Sequence, residues 1–178
     1  LVVGQFTQVG GQNAKWLARL KPDFTFDTDF QQKLGTINGS GGFAGLNAVA
    51  ELPDGRIAIS GSFSDINGVA NSSSVAIVHP DGALDTTFVS ASTNSSSRFD
   101  VLAYHPASNS LIIGGGGAIY GGANQRLHRV ALDGSLDGSF DPELGGSGSV
   151  EVVRVLPDGK VLIGGTFTSV KGIERSSL

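Results

Sequence analysis

Carboxylates are the side chains whose type and spacing most readily suggest chemistry in this sequence. The stretch PDFTFDTDF brings Asp23, Asp27 and Asp29 within seven residues, and three such oxygen ligands in a short loop are a candidate calcium site. The same spacing recurs without the third acid in PDGALDTTF, which ends at Phe88, and in LDGSLDGSF, which ends at Phe140. The favoured interpretation is therefore that these aspartates cap turns that repeat along the chain, with calcium binding as the alternative.

The other residues with chemical potential lack the partners that a known site requires. The three histidines have no metal-binding spacing, no serine lies in a G-x-S-x-G elbow, and the chain has no cysteine. The glycine run 114–117 lacks the Lys-Ser/Thr of a phosphate-binding loop. Tyr120 is a candidate for stacking on a sugar ring, whereas Trp16 is expected to pack between structural units. The sequence therefore predicts no catalytic residue, no cofactor and no metal beyond the calcium alternative.

These residues belong to a repeat of 50 to 58 positions. The block LPDGRIAISGSFSDINGVA from Leu52 matches LPDGKVLIGGTFTSVKGIE from Leu156, and the opening VVGQFTQVGG is the same block without its front. A third copy, HPASNSLIIGGGG from His105, lacks the Pro-Asp-Gly turn and the following Phe. The same period separates two sets of landmarks, the glycines at 4, 61, 115 and 165 and the phenylalanines at 30, 88 and 140. Two independent landmarks with one period indicate a repeat protein.

Each repeat consists of short strands and turns. Apolar runs flank Pro-Asp-Gly turns at 53–55, 80–82 and 157–159, where Pro presets φ and Gly accepts a positive φ. No segment carries helical spacing over roughly eleven residues, so we expect a helix content near zero. A period of about 50 with three or four strands is typical of a β-propeller blade. The predicted fold class is all-β, with β-propeller-type repeats in three full blades and a partial one; a β-solenoid-like repeat stack is the alternative.

The approximate units are 1–45, 46–98, 99–149 and 150–178, with the first and last partial, and they form a single repeat domain. The phenylalanine that ends each unit is expected to be a wedge between neighbouring blades. Three periods and an overlap of about 17 residues do not close a ring of about four to eight blades. We therefore expect the chain to associate with copies of itself or to be part of a longer repeat protein.

Composition limits the classes of partner. The 178 residues carry 12 basic and 16 acidic side chains, for a net charge of −4. Nucleic-acid binding is not expected, because it needs clustered Lys and Arg. No apolar run approaches the ~20 residues of a membrane-spanning helix.

The motifs LPDGKVLIGGTFTSVKG and PDGALDTTF resemble the delta-sixty repeats, which are β-propeller repeats found in large secreted or surface proteins of bacteria. The resemblance covers essentially the whole chain. It departs from the family pattern at 106–110, where PASNS replaces the Pro-Asp-Gly turn. The resemblance implies a propeller fold and an extracellular or cell-surface setting, and it implies no settled activity.

Two functions from different classes are compatible with these features. The first is a non-enzymatic surface module that acts as a structural scaffold or an adhesive binding platform, with copies of itself, further repeats, a glycan or a cell-surface ligand as partner. The second is a polysaccharide-active propeller enzyme, which needs two carboxylates that converge in the central channel. The unrepeated acids are Glu51, Glu143, Glu151 and Glu174, and nothing in the sequence brings two of them together.

Overall fold

The computed structural model describes residues 1–39, 45–70, 74–90, 99–116 and 125–175. The described residues form short antiparallel strands, one α-helix and one 3₁₀ turn. The strands are β1 Val2–Val3, β2 Gln8–Val9, β3 Gln12–Asn13, β4 Leu17–Ala18, β5 Ile37–Asn38, β6 Gly45–Glu51, β7 Ile57–Ser62, β8 Asp65–Ile66, β9 Val69–Ala70, β10 Val75–Val78, β11 Val101–His105, β12 Ser110–Gly114, β13 Leu127–Ala131, β14 Leu144–Gly145, β15 Val150–Val155, β16 Val161–Gly165, β17 Ser169–Val170 and β18 Ile173–Glu174. The helices are α1 Thr28–Leu34 and the 3₁₀ turn η1 Pro106–Ser108.

Four main sheets follow the repeat and are numbered in chain order. Sheet 1 pairs β1 with β4, sheet 2 has the order β10-β7-β6, sheet 3 the order β11-β12-β13, and sheet 4 pairs β15 with β16. The turns at 53–55, 80–82 and 157–159 lie where the sequence predicts them. After the third strand of sheets 1, 2 and 3, the chain turns back and makes a single antiparallel bridge to the end of that strand, as between Val78 and Leu84. The all-β prediction is confirmed.

Two of the glycine landmarks, Gly61 and Gly165, mark places where two strands approach each other closely. A Cβ on Gly61 of β7 would overlap the carbonyl oxygen of Gly45 on β6. The same substitution at Gly165 of β16 would overlap the carbonyl oxygen of Ser149, just before β15. At these two positions no side chain fits between the two strands.

Short hairpins extend from the main sheets after the second strand. The hairpin of β8 and β9 turns through Asn67 and Gly68, and that of β17 and β18 turns through Lys171 and Gly172. All four turn residues have positive φ, between 48° and 78°, as a two-residue type I′ turn requires. Each hairpin is joined by a strand from the end of the preceding unit, β5 for the first and β14 for the second.

Neighbouring main sheets bury three apolar clusters, called here seams 1, 2 and 3. Seam 1 lies between sheets 1 and 2 and contains Trp16, Leu17, Phe30, Leu34, Ile37, Leu46, Ile57, Ile59, Phe63, Ile66, Ala76 and Val78. Seam 2 lies between sheets 2 and 3 and contains Leu52, Ala58, Val75, Ile77, Phe88, Phe99, Leu102, Leu111, Ile113 and Val130. Seam 3 lies between sheets 3 and 4 and contains Val101, Ile112, Leu127, Val150 and Phe167, with partly buried Phe140, Leu144, Val153, Val155, Val161, Ile163 and Val170.

The wedge role predicted for the unit-ending phenylalanines is confirmed. Phe30 is 0 % exposed in seam 1 and Phe88 is 7 % exposed in seam 2, whereas Phe140 is only partly buried in seam 3. Packing sheet against sheet is what buries both faces of each small sheet.

Helix α1 corrects the expectation of almost no helix. The side chain of Asp27 caps its first turn by accepting a hydrogen bond from the backbone N–H of Phe30 at 3.3 Å. Gly35, with φ at +65°, ends the helix. Phe30 and Leu34 are its buried side chains. At seven residues the helix is too short for hydrophobic periodicity to reveal it.

The third unit keeps its strand register although its turn differs. Instead of Pro-Asp-Gly, η1 connects β11 to β12, and Asn109 leaves it in a left-handed conformation with φ at +46°. The ring Nδ1 of His105 accepts a hydrogen bond from the backbone N–H of Ser108 at 3.2 Å. The five-residue pairing from Val101 to His105 is uninterrupted.

Candidate functional site

The first strands of sheets 2 and 4 carry a β-bulge near their beginnings. The register of β6 against β7 skips Asn47, and that of β15 against β16 skips Glu151. A bulge leaves one residue outside the ladder and re-aims its side chain. Asp100 holds the corresponding position in sheet 3, immediately before Val101, and its backbone N–H donates to the carbonyl of Gly114 at 2.8 Å. One polar residue from each of three sheets therefore stands at the same place in the repeat.

These three residues line one cavity of about 830 Å³, called here the central cavity. Each of the four main sheets or the segment next to it contributes to its wall, because β6 lies beside β1 and β11, and β11 lies beside β15. The other lining residues are Val3, Gly4, Leu46, Gly116 and Ser149. A cavity of this size is within the range of small-molecule sites.

Hydrogen bonds hold the polar groups of the central cavity in place. The Asn47 amide Nδ2 donates to Asp100 Oδ1 at 2.8 Å, which links sheet 2 to sheet 3. The Ser149 hydroxyl donates to Glu151 Oε1 at 3.0 Å, and the backbone N–H of Ser149 donates to Thr166 Oγ1 at 2.9 Å. One amide, two carboxylates and a hydroxyl therefore share the cavity wall. Such groups suit a ligand that offers several hydroxyls.

Sequence reasoning missed this set. Glu151 counts as an unrepeated acid in the sequence, yet the structure places it at a repeated position with Asp100 and Asn47. The available signal is a buried apolar residue followed by a polar one at the start of each first strand: Leu46-Asn47, Phe99-Asp100 and Val150-Glu151.

The three aspartates proposed as calcium ligands have separate partners in the structure. Asp23 accepts hydrogen bonds from the backbone N–H of Thr25 at 3.0 Å and from its hydroxyl at 2.6 Å, and the hydroxyl is the main reason that the pKa of Asp23 is lowered. Asp27 caps α1 and pairs with the Arg19 Nε at 2.8 Å, and Asp29 lies in the first turn of that helix. Within the described ranges, no three His, Asp or Glu side chains are placed to hold a metal ion. Calcium binding stays a prediction, while the hydrogen bonds show the turn-capping role.

The second repeated aspartate is held by an arginine in three units, but the arginine comes from two different places. Asp27 and Asp137 pair with Arg19 and Arg129, each eight residues earlier on the third strand of the same sheet. In the second unit that strand position is Ile77. The guanidinium is supplied there by Arg56, which follows the turn between β6 and β7; its Nη1 lies 2.8 Å from the Asp85 carboxylate.

These contacts keep the aspartates ionised. At Asp137 the Ser139 hydroxyl, the Ser139 backbone N–H and the Arg129 guanidinium lower the pKa to about 2. Burial raises the pKa of Asp85, but hydrogen bonds from Thr87 and Arg56 outweigh it and the net shift is downward. The repeated acids therefore serve local structure rather than a reacting ligand.

The remaining candidate functional residues either pack in the structure or lie outside the described residues. Tyr120, proposed for sugar stacking, lies outside them. Trp16 is buried in seam 1 as predicted, with the Lys15 ammonium 4.2 Å from the centre of its ring. The ring Nε2 of His105 lies 2.8 Å from the carbonyl oxygen of Gly159, so it ties the third unit to the fourth.

Comparison with known proteins adds one match. The family described as "Domain of unknown function (DUF5122) beta-propeller" matches residues 1–30, 52–88 and 156–178, which are 90 of the 178 residues. The matched segments carry the regular turns and the landmarks Gly4, Gly61, Gly165, Phe30 and Phe88, and the irregular third unit is not matched. The match supports a β-propeller repeat family in general rather than the narrower delta-sixty family. No curated protein and no solved structure matches the chain.

None of the helices within the described ranges has the length and apolar character to cross a bilayer.

Proposed function

This chain belongs to the β-propeller family of unknown function designated DUF5122, and from that premise we propose that it is a non-enzymatic binding and scaffold module of the bacterial surface or extracellular space. The ligand of the central cavity is a glycan or another hydroxyl-rich molecule. The support for an extracellular setting is compositional, since the chain has few charged residues, no cysteine and many glycines.

The central cavity is the observation that carries the proposal. It is lined by groups that both donate and accept hydrogen bonds, from three consecutive repeats, at one repeated position that a bulge exposes in sheets 2 and 4. Among the described residues that line it, the ionisable ones are the acids Asp100 and Glu151, which disfavours a phosphate-bearing ligand. Sugars present many hydroxyls to such a surface without a charge requirement.

A second function, a polysaccharide-active enzyme, is favoured by one specific feature of the same cavity. Asp100 and Glu151 line it together, and glycoside hydrolysis uses a pair of carboxylates roughly 5–10 Å apart. Against this, the Asp100 carboxylate already accepts the Asn47 amide.

A binding screen beside a hydrolysis screen on the same polysaccharides separates the two functions. The test variant is D100N/E151Q, and the matched control is E51Q, whose side chain lies at the far end of β6 and does not line the central cavity. Saturable binding without product release, weakened by the double variant and unchanged in the control, supports the binding module. Release of reducing ends that the double variant abolishes would establish the enzyme instead.

Self-association is the second part of the proposed role. In the described residues, sheets 1 and 4 contain two strands where sheets 2 and 3 contain three. Val152 and Leu162 of sheet 4 are 57 % and 54 % exposed, whereas their counterparts in sheet 2, Ala48 and Ala58, pack against sheet 3 in seam 2. A sheet from a second copy would cover this face as sheet 3 covers sheet 2.

Mass measurement in solution tests the association. We expect a concentration-dependent oligomer that V152K/L162K converts to a monomer, because charged side chains would then face the neighbouring sheet. The control is V69K, an exposed position on β9 away from that face. A monomer at micromolar concentration for the unaltered chain would exclude the self-association.

A further inference from the structure

His128 is a buried ionisable side chain in seam 2, between the two main sheets for which three strands are described. It lies on β13 and is 0 % exposed. Its ring packs edge-on against the ring of Phe99, with 6.4 Å between the ring centres, and Phe99 belongs to the apolar cluster of seam 2. Imidazole changes its charge close to neutral pH, so a histidine enclosed between two sheets is able to make their contact depend on pH.

The repeat shows that this histidine stands where the preceding unit has a small apolar residue. His128 lies two residues before Val130, which makes the single bridge at the end of its sheet, and Ala76 lies two residues before the corresponding Val78. Ala76 is 1 % exposed in seam 1. Equivalent positions therefore carry a methyl group in one seam and an imidazole in the next.

The neighbouring sheet also contributes a polar side chain to seam 2. Ser60 of β7 pairs with Val75, which belongs to seam 2, so both side chains lie on that face. Ser60 is 0 % exposed, and its hydroxyl has no hydrogen-bond partner among the described residues. Seam 1 has the apolar residues Val3 and Ala76 at the two positions. Burying polar groups costs free energy, so packing alone would favour the apolar pair.

The charged side chains on the elements around His128 are engaged elsewhere. Strands β7, β10 and β12 contain no ionisable residue. Glu51, at the end of β6, is exposed. The other ionisable groups on or beside the surrounding elements and their partners are Arg126 with the Gly146 carbonyl, Arg129 with Asp137, Asp85 with Arg56 and more distantly His79, Asp100 with Asn47, His105 with the Gly159 carbonyl, and Tyr104 with Asn109. A positive charge on His128 would be placed in an apolar cluster, which costs free energy.

We propose that seam 2 is an acid-sensitive joint between the second and third units. The neutral ring of His128 fits the seam and holds sheets 2 and 3 together, and the protonated ring draws water in and separates them. The hydrogen bond from Asn47 to Asp100 crosses the same seam, and Asp100 directly follows Phe99. Acid therefore also takes apart the wall of the central cavity. Release of a ligand by acid rests on the proposed function, whereas the opening of the seam does not.

The chain should lose stability as the pH falls through the range in which histidine takes up a proton. In an unfolded chain this happens at about pH 6.5. The folded seam resists the proton, so the unfolded state binds more protons and gains population in acid. Urea unfolding should give a folding equilibrium constant roughly thirtyfold smaller at pH 5 than at pH 7.5, the value for a site that excludes the proton when folded.

Variants built from the repeat assign the effect to this position. S60V/H128A restores the two residues of seam 1 and should reduce the acid response to less than about threefold, and H128A serves if the double variant folds poorly. H79Q and H105Q control for the other two histidines of the chain and should keep the full response. No ligand is added, so the result is independent of whether the central cavity binds a glycan.

Nuclear magnetic resonance of the histidine rings provides the direct measurement. The ring signal of His128 in the folded chain should keep its neutral position down to pH 5, while the signals of the folded chain lose intensity. A folded-state signal that moves to the protonated position at pH 6.5 or above would overturn the proposal, because the seam would then accept the charge. An acid response that persists in H128A, or that H105Q removes, would overturn it as well.

Discussion

Seams 1 and 3 share equivalent strands, but β10 adds Ala76 and Val78 to seam 1, and no third strand of sheet 4 is among the described residues at seam 3. In seam 1 the helix α1, which contains Phe30, also delivers Leu34 to the core. In seam 3 the link after Phe140 is three residues shorter and reaches β14 without a helix. The fuller burial of seam 1 therefore goes with two features, the helix that carries Leu34 and the third strand that carries Ala76 and Val78.

The difference extends to the phenylalanine itself. The Arg19 guanidinium lies 4.3 Å from the ring centre of Phe30, and the Arg129 guanidinium lies 5.1 Å from that of Phe140. The stacked arginine is therefore common to both seams. What differs is the cover on the other sides of the ring, which is complete for Phe30 and incomplete for Phe140.

The largest effect is expected from removing these two rings. Phe30→Ala should lower the free energy of unfolding by ~3–5 kcal/mol, since a fully buried ring leaves a cavity. Phe140→Ala should cost about 1–2 kcal/mol, because a partly exposed ring loses less burial. Urea unfolding of both variants measures the difference.

Phe63→Ala and Phe167→Ala provide the matched control for that pair. The two residues are equivalent, lie in seams 1 and 3, and are 4 % and 5 % exposed. Both variants should lose ~3–5 kcal/mol. If Phe167→Ala is near neutral, seam 3 is loose throughout and the contrast is not confined to the link.

Leu34→Ala removes the side chain that seals seam 1. It should cost ~2–5 kcal/mol through lost burial and a new cavity. Lys33→Ala on the same helix is the control, and as an exposed position it should change stability by less than about 0.5 kcal/mol. A near-neutral Leu34→Ala would show that Leu34 does not close the seam, and it would remove the basis of the contrast with seam 3.

The sequence predicts the repeat, the turns and the wedge residues because each depends on local chemistry. Pro-Asp-Gly at 53–55 and 157–159 specifies a turn whatever surrounds it. The phenylalanine landmarks recur because every seam needs one large apolar side chain.

Helix α1 and the central cavity depend on information that local patterns do not hold. Asp27, Asp85 and Asp137 occur in nearly the same motif, but in the described residues an α-helix follows only Asp27. Asn47, Asp100 and Glu151 differ in type, and they become one set only when the strand register is known. An alignment of the units by their turns and glycines places three different residue types at this position. It therefore gives no reason to group them.

The N-cap of α1 is a further difference between the two seams, and a smaller loss of stability is expected from removing it. Asp27→Ala removes the hydrogen bond to the Phe30 N–H and the ion pair with Arg19, and it should cost ~0.5–2 kcal/mol. Asp27→Asn keeps an acceptor for the cap and should cost less. Thermal unfolding and helix-sensitive circular dichroism of the two variants measure the difference. Equal losses in both would mean that the charge, and not the cap, holds the helix.

The smallest effect concerns Asp137, the counterpart of Asp27 beside seam 3. Its folded-state pKa of about 2 lies below its usual value of 3.8, so the folded chain binds fewer protons than the unfolded chain between these values. The stabilisation by this carboxylate is therefore complete above about pH 5 and is lost as the pH falls through about 2. Because its side chain is about one-third exposed, solvent screening keeps the effect small.

Asp137→Asn should accordingly lower the melting temperature slightly at pH 6, and the difference from the unaltered chain should shrink as the pH approaches 2. The pKa of Asp27 is also lowered, since hydrogen bonds from Phe30 and Arg19 outweigh the effect of its burial. Asp27→Asn should therefore show the same sign in the same acidic range. A melting-temperature difference for Asp137→Asn that stays constant from pH 6 to pH 2 would contradict the lowered pKa. The ionised Asp137 carboxylate would then contribute no stability of its own beside seam 3.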